Sequence, residues 1–256
     1  MNTDRRWFPG SPGEPSERTQ LFCLPHGGGG ASAYREWRDK LAGIADVVPV
    51  QPPGREGRAA EPAEWSMTAL AEQLFEPLRR RAGDRPYAIF GHSMGALLGY
   101  EVTVALAAVG RPPELLVASG APAPQLPVGT ERPVHRMSED ELVGHLRELA
   151  GTPDSVLRNA DLLSLLVPTV RADFAACETY VHPPHPVLDV PLLVLGGEQD
   201  TGVPPATLGP WRERTAAGCA VHTFPGGHFY HFDRTDEVLA LIAGALTGDP
   251  VTGATR

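Results

Sequence analysis

The sequence predicts an α/β fold: a mostly parallel central sheet flanked by helices, with a helical lid insertion. Three observations carry this. Short apolar bursts alternate with longer amphipathic stretches, which is the order a parallel sheet with helical crossovers requires. Each burst is bounded by Gly, Pro or polar residues, as buried strands are. One interval late in the chain is far too long for a simple crossover. The 256 residues, 42% hydrophobic and 21% charged, suffice for one large soluble core, and 1–256 is read as a single domain.

Taken in order, the first twenty residues are polar and rich in Pro and Gly, so 1–12 is expected to be disordered. Strands are expected at "LFCLP" (21–25), "DVVPVQ" (46–51), "YAIFGH" (87–92), "ELLVASG" (114–120), "PLLVLGG" (191–197) and "CAVHTFPG" (219–226). Helical patterns fill roughly 31–43, 66–82, 94–109, 205–217 and 234–246. Gly120 to Val190 breaks the rhythm. Within it, Ser138 followed by Glu141 is a capping-box start, and a second apolar helical pattern is interrupted by Pro168, which should kink or split it. Residues 123–185 are therefore expected to form the lid over the sheet. The tail, 248–256, is expected to be disordered.

A formal net charge of −9 argues against nucleic-acid binding, which needs concentrated Lys and Arg. The single lysine, Lys40, among 21 arginines reads as compositional bias rather than function. Cys23, Cys177 and Cys219 fall in no metal spacing, and their odd number suggests reduced thiols. No segment resembles a signal peptide or approaches the ~20 apolar residues needed to cross a bilayer, so a cytoplasmic location without membrane contact is expected. A monomer is expected because nothing in the sequence suggests an obligate interface.

The chemistry is concentrated in "IFGHSMGA", where Gly91-His92-Ser93-Met94-Gly95 joins a strand to a helix. That is the context of a nucleophile elbow. Its serine needs an unusual backbone conformation to present Oγ, and the flanking glycines give the close space a Cβ would fill. A nucleophilic serine needs a base, and the base needs an orienting carboxylate. Asp200 follows one late strand in "GGEQD", and His228 follows the last in "PGGH". The order nucleophile, acid, histidine is that of the α/β-hydrolase fold. Glu198 is the alternative acid and His231 the alternative histidine; Asp200 is preferred to Glu198, and His228 to His231 because "PGGH" puts it in a flexible turn whereas His231 leads into the last helix. "LPHGGGG" follows the first strand, so Gly27, or next Gly28, is the expected first oxyanion donor, with the N–H of Met94 as the second. His135, His145, His182 and His185 show no ligand pattern, and no metal site is expected.

These pieces resemble one family. "LFCLPHGGGGASAYREW", "PPGREGR", "IFGHSMGALLGYE", "PTVRADFAACETY", "PLLVLGGEQD" and "FPGGHFY", spread from residue 21 to 232, are similar to type II thioesterases, the stand-alone α/β-hydrolases that accompany polyketide synthases and nonribosomal peptide synthetases. "GHSMG" is common to many hydrolases; "RADF" and "GGHFY" are more particular to this group. The resemblance implies hydrolysis of acyl thioesters on the phosphopantetheine arm of an acyl or peptidyl carrier protein, with no cofactor of its own. It implies that Ser93 takes the acyl group, His228 acts as base and then acid, and Asp200 orients it. It also places Met94, Phe174 and Gly28 near the acyl group. Carrier proteins are usually acidic, as this chain is, so docking would need a local basic patch such as Arg35, Arg38, Lys40, Arg55 and Arg58, or Arg79–Arg81. A carboxylesterase or acyl-coenzyme A thioesterase would use the same triad. Acyl transfer and a non-catalytic binding protein are further alternatives, the last disfavoured by the presence of all three triad members.

Overall fold

The computed structural model describes residues 3–10, 16–127, 132–149 and 151–248. Six strands, β1 (Thr19–Leu24), β2 (Ala45–Pro49), β3 (Tyr87–His92), β4 (Leu115–Ser119), β5 (Leu192–Gly197) and β6 (Cys219–Phe224), form one sheet in the order β2-β1-β3-β4-β5-β6. Every pairing is parallel. Pro49, which has no N–H to give a ladder, sits on the edge strand β2.

The helices are α1 (Thr3–Trp7), α2 (Trp37–Lys40), α3 (Met67–Ala82), α4 (Met94–Ala108), α5 (Glu139–Leu149), α6 (Asp154–Leu157), α7 (Ala160–Glu178), α8 (Tyr230–Asp233) and α9 (Thr235–Thr247). Alternation within each strand divides the core. On β1, Phe22 and Leu24 face α3 and α4, whereas Leu21 and Cys23 face α2 and α9. A third apolar cluster, including Leu142, Leu146, Leu157 and Val170, holds the insertion together. All three cysteines are free thiols. Among the described residues, no helix is long and apolar enough to cross a membrane.

The strand order matters for function. Consecutive strands β1 and β2 run to one edge, and β3 starts on the other side of β1. The C-terminal ends of β1 and β3 are therefore neighbours, with Leu24 opposite Gly91. Loops leaving the two strands must meet at this switch point, where α/β sheets hold their ligands.

Several elements differ from the sequence reading. Residues 3–10 are folded rather than disordered: Trp7 and Phe8 are buried, the Trp7 carbonyl accepts the Gln51 N–H at 2.8 Å, and the Arg58 guanidinium lies 4.3 Å from the Trp7 ring centre. Two large aromatic side chains supply enough buried surface to hold a polar segment down. Residues 1, 2, 11 and 12 lie outside the described residues, as do 249–256. Gly248 itself is ordered as the left-handed cap of α9, at φ 82°. The long helix expected over 31–43 is a 3₁₀ turn at 31–34 followed by the single turn of α2. The one expected over 205–217 is a pair of 3₁₀ turns, because Pro204, Pro205 and Pro210 lack the N–H groups an α-helix needs. In contrast, α7 runs unbroken through Pro168. The Ser138–Glu141 capping box forms, with Glu141 N–H donating to Ser138 Oγ and Ser138 N–H to Glu141 Oε2.

Candidate active site

Ser93 caps α4 with φ 55° and ψ −116°, a conformation L-residues rarely adopt. Its N–H donates to the Ser119 carbonyl at 2.7 Å, which ties the turn to the neighbouring strand. The flanking glycines are explained by space. A Cβ on Gly91 would lie 2.0 Å from the Gly95 carbonyl oxygen, and one on Gly95 would lie 2.3 Å from that of Leu24. Both obstacles are backbone, so neither can move aside cheaply. Gly95→Ala is expected to cost about 3 kcal/mol, the upper end for overpacking, read as a lower urea midpoint; an unshifted midpoint would contradict this packing.

The acid and the histidine meet. Asp200 Oδ2 accepts from His228 Nδ1 at 2.7 Å, while Asp200 Oδ1 accepts the N–H groups of Val203 at 2.9 Å and Gly202 at 3.0 Å. A carboxylate only accepts, so Nδ1 carries the proton and Nε2 of the neutral ring keeps a free lone pair. Glu198 is exposed and stands apart from this pair. His231 is buried in α8, its ring centre 4.0 Å from that of His92. Burial pushes His231 and His92 well below the ordinary histidine range, and neighbouring imidazoles add to this, His26 first for His231 and His231 first for His92. Burial first, then His228 and Arg55, lowers His26 to about 3. These three rings pack as neutral groups around Phe229.

Ser93, Met94, Gly27 and His228 line one cavity of about 300 Å³. The insertion forms its far wall, with Leu146 and Phe174 among the lining residues. Such a space can hold an apolar chain with its reactive end at Ser93. Gly28 does not face this cavity: its N–H donates to Asp173 Oδ2 at 2.6 Å. The alternative donor is thus committed elsewhere, whereas Gly27 remains at the cavity wall.

Two charged residues were not recognised as parts of the site. Arg55 and Asp173 form a buried bidentate pair, with both N···O distances 2.7 Å. Burial raises the Asp173 carboxyl against the opposing pull of Arg55. Asp173 falls in phase with Val170 and Ala176 on the buried face of α7, and a charge in that phase is the signal that could have found it. Arg55 and Arg58, considered for a surface patch, are both buried and paired internally, and Lys40 pairs with Asp236.

Residues 19–246 match the family described as "Thioesterase domain". The chain belongs to the thioesterase domain family. Among its relatives, the gramicidin S biosynthesis protein GrsT of Aneurinibacillus migulanus is 34% identical over 243 residues, covering 94% of each chain. Thioesterase PikA5 of Streptomyces venezuelae is 34% identical over 235 residues, 91% of this chain and 82% of that one. Among solved structures, the type II thioesterase BorB from the borrelidin biosynthetic cluster superposes with a TM-score of 0.85 at 40% identity, covering 92% of this chain and 95% of that one. The protein is a thioester hydrolase of the α/β-hydrolase fold, and it resembles the type II thioesterases of polyketide and nonribosomal peptide pathways.

Proposed function

We propose that this thioesterase hydrolyses acyl groups from the phosphopantetheine arm of an acyl or peptidyl carrier protein, clearing aberrant or stalled chains. The observation that carries the reading is the opening of the Ser93 elbow and of His228, which bonds to Asp200 behind it, into one apolar cavity walled by the insertion. In the first step Ser93 Oγ attacks the thioester carbonyl while His228 Nε2 takes its proton. The N–H groups of Gly27 and Met94 stabilise the oxyanion. The C–S bond breaks, and the departing sulfur receives the proton from His228. Water, deprotonated by the same nitrogen, then releases the free acid and restores Ser93. The reaction calls for no metal or cofactor beyond the arm carried by the partner. The enzyme acts as a cytoplasmic monomer, without nucleic acid or membrane.

A thioester is already activated, so positioning matters more than protonation of the leaving group. Binding to the carrier adds remote contacts that can be used at the reacting carbon. The test compares acetyl, butyryl and octanoyl groups on a loaded carrier protein with the same groups on coenzyme A or N-acetylcysteamine, with Ser93→Ala as the control lacking acid release. The carrier-bound form is expected to be favoured by about tenfold or more in kcat/KM, equivalent to ~1.4 kcal/mol of remote binding. Preference for the free thioesters or for simple esters would replace this reading with an acyl-coenzyme A thioesterase or a carboxylesterase.

A further inference from the structure

The insertion reaches the donor loop through one carboxylate. Asp173 Oδ2 accepts the Gly28 N–H at 2.6 Å and Arg55 Nη1 at 2.7 Å, and Asp173 Oδ1 accepts Arg55 Nη2 at 2.7 Å. Arg55 Nη1 also donates to the Gly29 carbonyl at 3.3 Å, and its Nε to that of Pro53 at 3.1 Å. Both peptide planes beside Gly27 are therefore held. The plane before it is held by the Gly29 N–H on the His26 carbonyl at 2.9 Å, the plane after it by the Gly28 N–H on Asp173. A peptide's N–H points opposite its C=O, so fixing the His26 carbonyl also fixes the direction of the Gly27 N–H. The loop is packed as tightly as it is bonded: a Cβ on Gly28, at φ +76°, would lie 2.8 Å from Val170 Cγ2 of α7.

A buried ion pair is a weak source of net stability, because the attraction between the charges is offset by their desolvation. Its geometry is what it contributes here. We infer that Asp173, held by Arg55, is a positioning residue that keeps the oxyanion-donor loop in its reactive shape, and does so only while the C-terminal half of α7 is seated. The inference rests on the proposed acyl-serine reading, in which the Gly27 N–H receives the oxyanion. The two halves of α7 differ in a way that fits. Beyond Pro168, Thr169 donates to the Gly54 carbonyl at 2.6 Å, and Arg171 donates to the carbonyls of His135 at 2.9 Å and Met137 at 2.7 Å. Before Pro168, Leu162 and Leu165 are exposed. Pro168 contributes no N–H to the ladder between these halves. Unseating the inner half, which carries Asp173 and Val170, releases Gly28.

The test uses Asp173→Asn and the double variant Arg55→Met with Asp173→Leu, assayed on butyryl-N-acetylcysteamine and with a short alkylboronic acid that forms a tetrahedral serine adduct. Making both partners apolar removes the charges together and preserves most of the fold's stability. The double variant is expected to unfold close to the native temperature. Its kcat should fall about a hundredfold while KM moves less than about threefold, the pattern of an interaction needed only in the transition state. The boronic acid inhibition constant should rise in parallel. Asp173→Asn, which keeps an acceptor for Gly28 but loses the charge, should fall between the two and decides the matter alone if the double variant does not fold. A folded variant with native kcat, a loss confined to KM, or unchanged boronic acid inhibition would overturn the inference. Residual hydrolysis by Ser93→Ala would instead overturn the acyl-serine reading, which separates the two failures.

Discussion

Asp200→Asn is expected to leave the fold intact and lower kcat about 10⁴-fold, the cost of the same change in a serine protease triad. The geometry gives the reason. Asp200 Oδ1 accepts two backbone N–H groups, from Gly202 and Val203, and an asparagine must keep its oxygen there. Its NH₂ then occupies the position of Oδ2, facing His228 Nδ1. An amide N–H cannot accept the Nδ1 proton, so the imidazole moves its hydrogen to Nε2 and loses the lone pair that would take the Ser93 proton. The preserved backbone contacts should keep the unfolding temperature near that of the native protein. Steady-state kinetics together with thermal unfolding check both halves of the expectation. A loss below about tenfold would remove Asp200 from the orienting role.

Acid is expected to unfold the protein steeply between pH 6.5 and about 4. His26, His92 and His231 are buried, and burial holds all three below their ordinary value, His26 at about 3. The unfolded chain binds protons at these residues near pH 6.5, whereas the folded chain does not. A depressed histidine therefore contributes stability that is full above the unfolded value and is lost as pH falls below it. Each such ring changes stability by up to ~1.4 kcal/mol per pH unit within that window. His92 and His231 have ring centres only 4.0 Å apart, which adds a penalty for charging both. Urea midpoints measured from pH 7 to pH 4 should fall with a slope of two to three protons. His231→Phe, which fills the same apolar space without a titrating group, should remove about one of them. A midpoint that stays level through this range would contradict neutral packing of the three rings.

Much of the site was legible because its requirements are local. The glycines around Ser93 are demanded by backbone atoms within a few residues or on the adjacent strand, and the pattern G-x-S-x-G states that demand directly. Asp200 and His228 were found by position, since each follows a strand whose apolar run is plain. Asp200, not Glu198, bonds to His228, and only the fold supplies the reason: Gly202 and Val203 turn their N–H groups onto Asp200, while Glu198 is exposed. Trp7 and Phe8 were misread for the complementary reason. A polar, Pro-rich composition says nothing about whether two aromatic rings will find a core to enter.

By itself, the sequence determined the alternating α/β order, the elbow at Ser93, the chain order of Ser93, Asp200 and His228 past their strands and the presence of a helical insertion. All follow from periodicity, steric demand or spacing along the chain. Only the tertiary structure decided that Arg55 is buried on Asp173 instead of lying on a basic surface, that Gly28 serves the loop while Gly27 faces the cavity, and that four histidines gather around Phe229. These partners lie far apart in sequence, and no local pattern records which distant group will satisfy a buried charge. Desolvation makes the pairing obligatory, but the topology of the sheet and the seating of α7 select the partner.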